Sequence, residues 1–318
     1  MAPIIVITGA NRGIGFEAAV QLAKTRRFSR IFLTVRTADK GPAVVAAVAA
    51  ASAQPSSLFA FLVVDLESHA SVRDAVKALP SKVDAVLLNA GGLGGPALTS
   101  SGITQNMAQN CIGNAVLVEG LIAAGKLGAG ARVVFSGSET TRKIWLFAGF
   151  LPSMRLAKGD IEARVSEPPT RGTLGVPVRQ RMALYSQSKL ISGLYCAQLA
   201  KDHPSIYFAV VSPGGVATDV YEAAPQPLPF MMKIPAVVAA FIALGACHPI
   251  DVAARRYVLA LTDESFPQRF PSGAYLGGPS AIGTAGPLTS QSAFAPYYDD
   301  AELQKEAARV VRAAAKRG

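Results

Sequence analysis

Ile4-Ile5-Val6-Ile7-Thr8-Gly9-Ala10-Asn11-Arg12-Gly13-Ile14-Gly15 decides the fold. The run Ile4–Thr8 is continuously β-branched, the pattern of a strand buried on both faces. Glycines follow, and Phe16–Lys24 then carries helical periodicity. A strand, a glycine turn and a helix in that order turn a glycine pattern into evidence for phosphate binding. The glycines permit a tight turn and a close approach of a pyrophosphate to the backbone. The helix N-terminus behind them offers free N–H groups and the positive end of its dipole.

Outward from this unit the chain keeps alternating. Arg30–Val35, Leu58–Val64, Val83–Leu88, Arg132–Phe135 and Ile206–Val211 read as strands, and Gly273–Gly277 as the closing strand. Ala43–Ala51, Ser71–Leu79, Thr104–Lys126, Leu184–Leu199 and Val252–Thr262 read as helices between them. Such alternation predicts α/β architecture: a parallel sheet, doubly wound in the Rossmann manner, with helices on both faces. No composition break divides residues 1–318, so one domain is expected. Residues 139–182, rich in proline and basic side chains, interrupt the pattern as an insertion at the mouth of a pocket or a solvated excursion. Residues 279–318 form a C-terminal extension, in which Asp299–Arg317 reads as an amphipathic helix with a basic end. Ile234–Cys247 is apolar but too short to span a bilayer. It is expected to be a buried helix beside the substrate pocket, with weak membrane-surface contact as the alternative.

The net charge of +10 suits a basic soluble protein or one with an anionic ligand. Nucleic acid is disfavoured, because no zinc-finger spacing, RNA-binding aromatic motif or long basic run occurs. Cys111, Cys196 and Cys247 lie far apart in apolar contexts, as reduced thiols of a cytoplasmic protein do. His69, His203 and His248 have no metal-ligand spacing, so no metal site is expected. Met1-Ala2-Pro3 leads straight into the first strand without the charged start of a signal peptide.

Tyr185-Ser186-Gln187-Ser188-Lys189 carries the chemistry. A tyrosine and a lysine four apart on a helix share a face. The ammonium favours the phenolate and is expected to lower the phenol's pKa from near 10, making Tyr185 a proton donor and acceptor. The pair follows the glycine loop, Asn89-Ala90-Gly91 and Ser138, and precedes Ser212-Pro213-Gly214 with Thr218. That ordered set resembles the short-chain dehydrogenase/reductase family over roughly residues 3–280. Leu98–Ile103 is similar to its retinol-dehydrogenase-like and carbonyl-reductase-like branches.

The resemblance implies roles residue by residue. Gly9, Asn11, Arg12, Gly13, Ile14 and Gly15 would hold the cofactor phosphates. Asp65 and Leu66 would lie near the adenine, with a plain turn as the other reading of Asp65. Asn89, Ala90 and Gly91 would support the sheet and line the cleft, and Pro213, Gly214, Val216 and Thr218 would hold the nicotinamide carboxamide. Ser138, with Ser136 as fallback, would polarise a substrate carbonyl. Tyr185 would give the proton, and Lys189 would bind the ribose and tune Tyr185. Asn110, in an Asn-x-x-Gly motif with Gly113, would hold a water linking Lys189 to solvent.

After the second strand an NAD enzyme carries an acid; here Val35 is followed by Arg36, and Arg12 lies in the glycine loop. Two guanidiniums favour NADP, with Asp39 the one acid nearby. The expected protein is an NADP-dependent oxidoreductase interconverting a small, hydrophobic carbonyl compound and its alcohol. The alternatives are a cofactor-sensing regulatory protein and an isomerase or dehydratase on the same fold. The family commonly builds subunit contacts from the helices before and after the fifth strand. The wide gap from Ser138 to Tyr185 resembles insertions of monomeric carbonyl reductases, so a monomer is favoured.

Overall fold

Strand Ile4–Ile7 (β1) runs through the centre of the molecule because its apolar side chains find a helix layer on either face. The computed structural model describes residues 3–94, 97–142, 156–166, 178–216, 234–280 and 283–317. The first half continues through α1 (Gly13–Lys24), β2 (Arg30–Val35), α2 (Gly41–Ser52), β3 (Phe59–Val63) and α3 (His69–Ala78). It is completed by β4 (Val83–Leu88), α4 (Gln105–Met107), α5 (Gly113–Ala123) and β5 (Leu127–Ser136). The second half comprises α6 (Asp160–Ser166), α7 (Val178–Asp202), β6 (Tyr207–Val211), α8 (Pro235–Ala243) and α9 (Ile250–Thr262). It ends with α10 (Phe266–Arg269), β7 (Tyr275–Gly277), β8 (Thr289–Ser290) and α11 (Ala301–Ala315).

The sheet order is β3-β2-β1-β4-β5-β6-β7-β8, parallel up to β7. The chain leaves β1 towards β2 on one side and returns on the other side at β4. That reversal opens a crevice at the carboxyl ends of β1 and β4, where doubly wound sheets bind ligands. One face of the sheet is covered by α1, α2 and α9, the other by α3, α5 and α7. The strands expected from periodicity are present, two of them, β2 and β4, with unchanged ends.

Four expectations change. The helix expected to start at Leu184 starts at Val178, so the Tyr/Lys helix reaches back into the supposed insertion, and α6 lies inside it too. Residues 143–155 and 167–177 of that insertion lie outside the described residues. The helix expected over 104–126 contains a π-helical turn, Ala108–Ile112, between α4 and α5. Gly273–Gly277 does not close the sheet: β7 is shorter, and β8 pairs antiparallel with its outer edge. Finally, the apolar segment after Ile234 is not buried among the described residues. No residue of α8 is buried, and no described element packs closely against it; only Ala246 and Cys247 behind it reach the interior. It is apolar all round and so has no polar face to separate solvent from a packed side.

The C-terminal helix is amphipathic as expected. Leu303, Ala307, Val310, Val311 and Ala314 are buried against α7, α5 and α6. Asp300 caps it, accepting from the backbone N–H groups of Glu302 and Leu303 at 2.9 and 3.1 Å. The three cysteines are free and buried.

Candidate active site

The glycine loop is folded tightly enough to require its glycines. Gly9 has φ +70°, and a Cβ there would stand 2.9 Å from the Ala90 Cα. A Cβ on Gly15 would meet the Asn89 Nδ2 and the Gly9 carbonyl, both at 2.3 Å. Nothing lies within 4 Å of a Cβ placed on Gly13, so the loop faces open space there. The α1 N-terminus behind it has no side-chain cap and no acid in its first turn. Free N–H groups with positive dipole and space in front suit a pyrophosphate. Arg12, in extended backbone, is the residue that leads into α1.

Three side chains brace this loop from the neighbouring strands. Thr34 Oγ1 accepts from the Gly9 N–H at 3.3 Å, and Thr8 Oγ1 from the Ala90 N–H at 2.9 Å. Asn89 Nδ2 donates to the carbonyls of Thr8 and Gly9 at 3.2 and 3.3 Å. The resemblance implies a supporting and cleft-lining role for Asn89, whereas the bracing by Thr8 and Thr34 is not among the expectations.

Arg36 follows β2 and is mostly exposed. Its guanidinium lies 4.0 Å from Asp65 and 3.8 Å from Glu67. Asp65 also accepts from the Glu67 N–H at 3.1 Å, which is the turn role weighed for it. Leu66, next to it, is buried in the core. Asp39 is exposed, and a hydrogen bond from Thr37, above all, lowers its pKa.

The expected chemical residues converge at the ends of β4 and β5. Asn110 sits in the π-helical turn. Its amide donates to the Gly92 carbonyl at 2.8 Å and accepts from the Gly92 N–H at 3.0 Å. A side chain on Gly91 would strike the Asn110 Oδ1 at 2.2 Å and stand 3.6 Å from Lys189 Nζ. Lys189 Nζ donates to the Ser136 carbonyl at 2.8 Å and lies 5.9 Å from the centre of the Tyr185 ring. Ser138 hydrogen-bonds Tyr185 through its side chain, and its Oγ also pairs with Thr140 Oγ1 at 2.9 Å. The fallback, Ser136, spends its hydroxyl on Tyr257 at 2.7 Å, in the opposite helix layer.

Electrostatics here correct one expectation. The Tyr185 pKa is raised, not lowered, because burial of its hydroxyl end outweighs the opposing hydrogen bond from Ser138. The residue as a whole is only half-buried, so the effect belongs to the hydroxyl at the floor of the cleft. Burial also lowers Lys189 to about 8. Its ammonium is turned to a backbone carbonyl and is not the dominant influence on the phenol.

The β6 end is held by an ionic network absent from the expectations. Pro213 and Gly214 follow β6, and Val216 bridges to His248. Thr218 lies outside the described residues. Arg256 donates to the carbonyls of Ser212 and Thr284, both at 3.0 Å, and lies 3.6 Å from Glu139. Glu139 pairs in turn with buried Arg142. Glu139 also accepts from the Gly278 N–H at 2.7 Å. The loops after β5, β6 and β7 are thus tied together below the surface. The partners are scattered along the chain, and no local pattern in the sequence announces them. Among the described residues no cluster could hold a metal ion, and no helix is long and apolar enough to cross a membrane.

The short chain dehydrogenase family model matches residues 3–149. A short chain dehydrogenase of Gibberella zeae is 34% identical over 125 residues, 39% of this chain and 36% of that protein. Mouse polyprenol dehydrogenase is 29% identical over 231 residues, 69% of this chain and 61% of its own length. The chain therefore spans less than two thirds of either relative. Among solved structures, a protein of Mycobacterium paratuberculosis superposes with a TM-score of 0.64 at 20% identity, over 99% of this chain and 93% of that one. At that identity the likeness is one of fold. The glycine-loop half of the chain thus matches the short-chain dehydrogenase/reductase family, and relatives named as its dehydrogenases carry the similarity further along the chain.

Proposed function

We propose that the protein is an NADP-dependent oxidoreductase that interconverts an apolar ketone or aldehyde and its alcohol. The observation that carries this reading is the convergence of Ser138, Tyr185 and Lys189 at the end of β5, beside a glycine loop shaped for a pyrophosphate. Bound there, the nicotinamide cofactor supplies or accepts the hydride. The α1 N-terminus and the Gly9–Gly15 backbone hold its phosphates, and Arg36 with Arg12 favours the 2′-phosphate. The carboxamide end falls to Pro213, Gly214, Val216 and Thr218.

Ser138 donates a hydrogen bond to the substrate oxygen as charge develops on it. Tyr185, kept protonated by burial, gives its proton to that oxygen. Lys189, with a pKa of about 8, is mostly charged at neutral pH and supports both the ribose and the Tyr185 phenolate. Asn110, locked to Gly92, fixes the turn beside Lys189. An apolar substrate agrees with a relative named for a polyprenol, itself an apolar alcohol. The stretches 91–97, 139–182 and 219–245, which would supply the walls of the pocket, are only partly among the described residues.

The test is NADPH oxidation with a panel of ketones, aldehydes and quinones, repeated with NADH. Turnover with at least one apolar carbonyl and a preference for NADPH is expected. No consumption across the panel would sink the reading, and equal use of NADH would remove its cofactor half.

A further inference from the structure

The pair that the family resemblance writes as Ser-Ser reads Gly137-Ser138 in this chain. The space that a side chain at 137 would fill is taken by Tyr275 of β7. A Cβ there would stand 2.9 Å from the Tyr275 hydroxyl and 3.0 Å from its ring carbon Cζ. It would also stand 2.8 Å from Val210 Cγ1. Gly193 hollows out the other side, where a Cβ would come within 2.6 Å of Tyr275 Cδ2. Gly193 lies one turn past Lys189, which lies one turn past Tyr185, so this slot continues the stripe of the Tyr/Lys helix. Tyr298 closes it by stacking on Tyr275 with ring centres 4.3 Å apart.

The ring so held presents its hydroxyl to the Ser138 backbone, with Thr141 Oγ1 3.3 Å away. Tyr275 Oη accepts from the Ser138 N–H at 2.7 Å and lies 3.0 Å from the Ser138 carbonyl, to which it donates. Thr141 Oγ1 donates to the same carbonyl at 2.6 Å. Burial raises the Tyr275 pKa, so the hydroxyl keeps the proton it donates. Ser138 stands just past the end of β5, beyond the sheet's own hydrogen bonds, and needs such an anchor to keep its Oγ in place.

We infer that Tyr275 is a positioning residue for Ser138: its hydroxyl clamps the Ser138 backbone on both sides and so aims the Ser138 hydroxyl at the substrate oxygen and at Tyr185. The inference rests on the reading of Ser138 as the group that polarises the carbonyl. A loosened Ser138 serves the transition state poorly, and a displacement of about 1 Å costs up to about a hundredfold in rate. It also withdraws the hydrogen bond that holds the Tyr185 pKa down.

Tyr275→Phe tests this, since it keeps the ring in its slot and removes the clamp. The expected result is a kcat lower by about ten- to a hundredfold. The Kd for NADPH, read by quenching of protein fluorescence, should stay as in the wild type. The pH at which alcohol oxidation reaches half its maximum should move upward. In a Ser138→Ala background the same substitution should cost nothing more. An unchanged kcat for Tyr275→Phe, with Ser138→Ala slow, overturns the inference alone. An equal loss in both backgrounds overturns it too, because the tyrosine would then act without Ser138. Wild-type turnover by Ser138→Ala instead overturns the reading of Ser138. If Tyr275→Phe does not fold, Gly137→Ala makes the same test by displacing the hydroxyl with the tyrosine retained. It should give the same Ser138-dependent loss, and wild-type kcat there would overturn the inference.

Discussion

At the β1–β4 end of the cleft, Thr8, Thr34 and Asn89 brace a glycine loop with short side chains from adjoining strands. At the β5–β6 end, Ser138 and the Pro213-Gly214 turn hang on long side chains from far along the chain. Tyr275 is 137 positions from Ser138, and Arg256 is 44 from Ser212. The first region is a backbone shape imposed by local residue choices. The second is a packed network whose parts meet only when β7, α9 and the 283–291 segment are in place. A cofactor common to a family needs the first kind of site, whereas a substrate particular to one member is served by the second.

The largest effect should fall on the chemistry that both regions face. Tyr185→Phe keeps the ring and removes the transferable proton, so turnover should fall by about 10²–10⁴-fold. NADPH should still bind, because the loop at the other end is untouched. Turnover near the wild-type rate would break the assignment of the β5 end as the reacting end.

Arg36→Ala addresses the first region. A charge-assisted contact to phosphate contributes about 1.5–3 kcal/mol, so NADPH should weaken by roughly ten- to a hundredfold and NADH far less. Asp65 and Glu67 compete for the same guanidinium, which places the result at the lower end of that range. Equal weakening of both cofactors, by titration, would remove Arg36 from the recognition of the 2′-phosphate.

The C-terminal helix tests the reach of the second region. α11 lies across α5 and α7, the helices to which the family resemblance assigns subunit contact. Arg312 pins it, meeting Glu119 and Asp202 at 2.7 Å each. These groups are about a third exposed, so Arg312→Ala should cost only about 1 kcal/mol in a denaturant titration. With that face covered by its own chain, the protein should be a monomer by light scattering. A stable tetramer would mean that α11 does not keep the face closed.

Most of the first region was legible in the sequence. Ile4–Thr8, the glycines and Asn89 act through rules that operate within a few residues, and the alternation of strand and helix followed from period alone. The Tyr/Lys pair was legible for the same reason, since four residues on a helix define a face. The raised Tyr185 pKa was not, because burial depends on what packs over the hydroxyl. Nor was Tyr275, which read as one residue of a closing strand until the cavities at Gly137 and Gly193 gave it a place. The apolar segment at α8 misled for a related reason: composition marks a segment that avoids water, and the partner that covers it is fixed only by the tertiary arrangement.

The smallest effect sets a pH limit on the second region. His248 is buried below the Pro213-Gly214 turn, and a Cβ on Gly214 would come within 2.3 Å of its ring. Its Nε2 meets the Thr284 carbonyl at 2.9 Å, so the neutral ring donates there. Burial, and then the charge of Arg256, lower its pKa from 6.5 to about 4. Arg256 donates to the same carbonyl, so protonation would set a second positive charge beside the first. Above pH 6.5 the ring is neutral folded or unfolded and contributes no slope. As pH falls from 6.5 towards 4, the unfolded chain takes up the proton first, and folding stability declines across that window. His248→Gln keeps an amide donor for Thr284 and does not titrate. Its Tm should therefore fall less between pH 6.5 and 4 than that of the wild type, while the two agree in slope above. NADPH affinity should follow the same divergence, because the ring props the Pro213-Gly214 turn to which the proposed function assigns the carboxamide. Parallel Tm profiles through the whole acid range would show that protonation of His248 does not load this network, and would leave the β5–β6 end with a pH dependence set elsewhere.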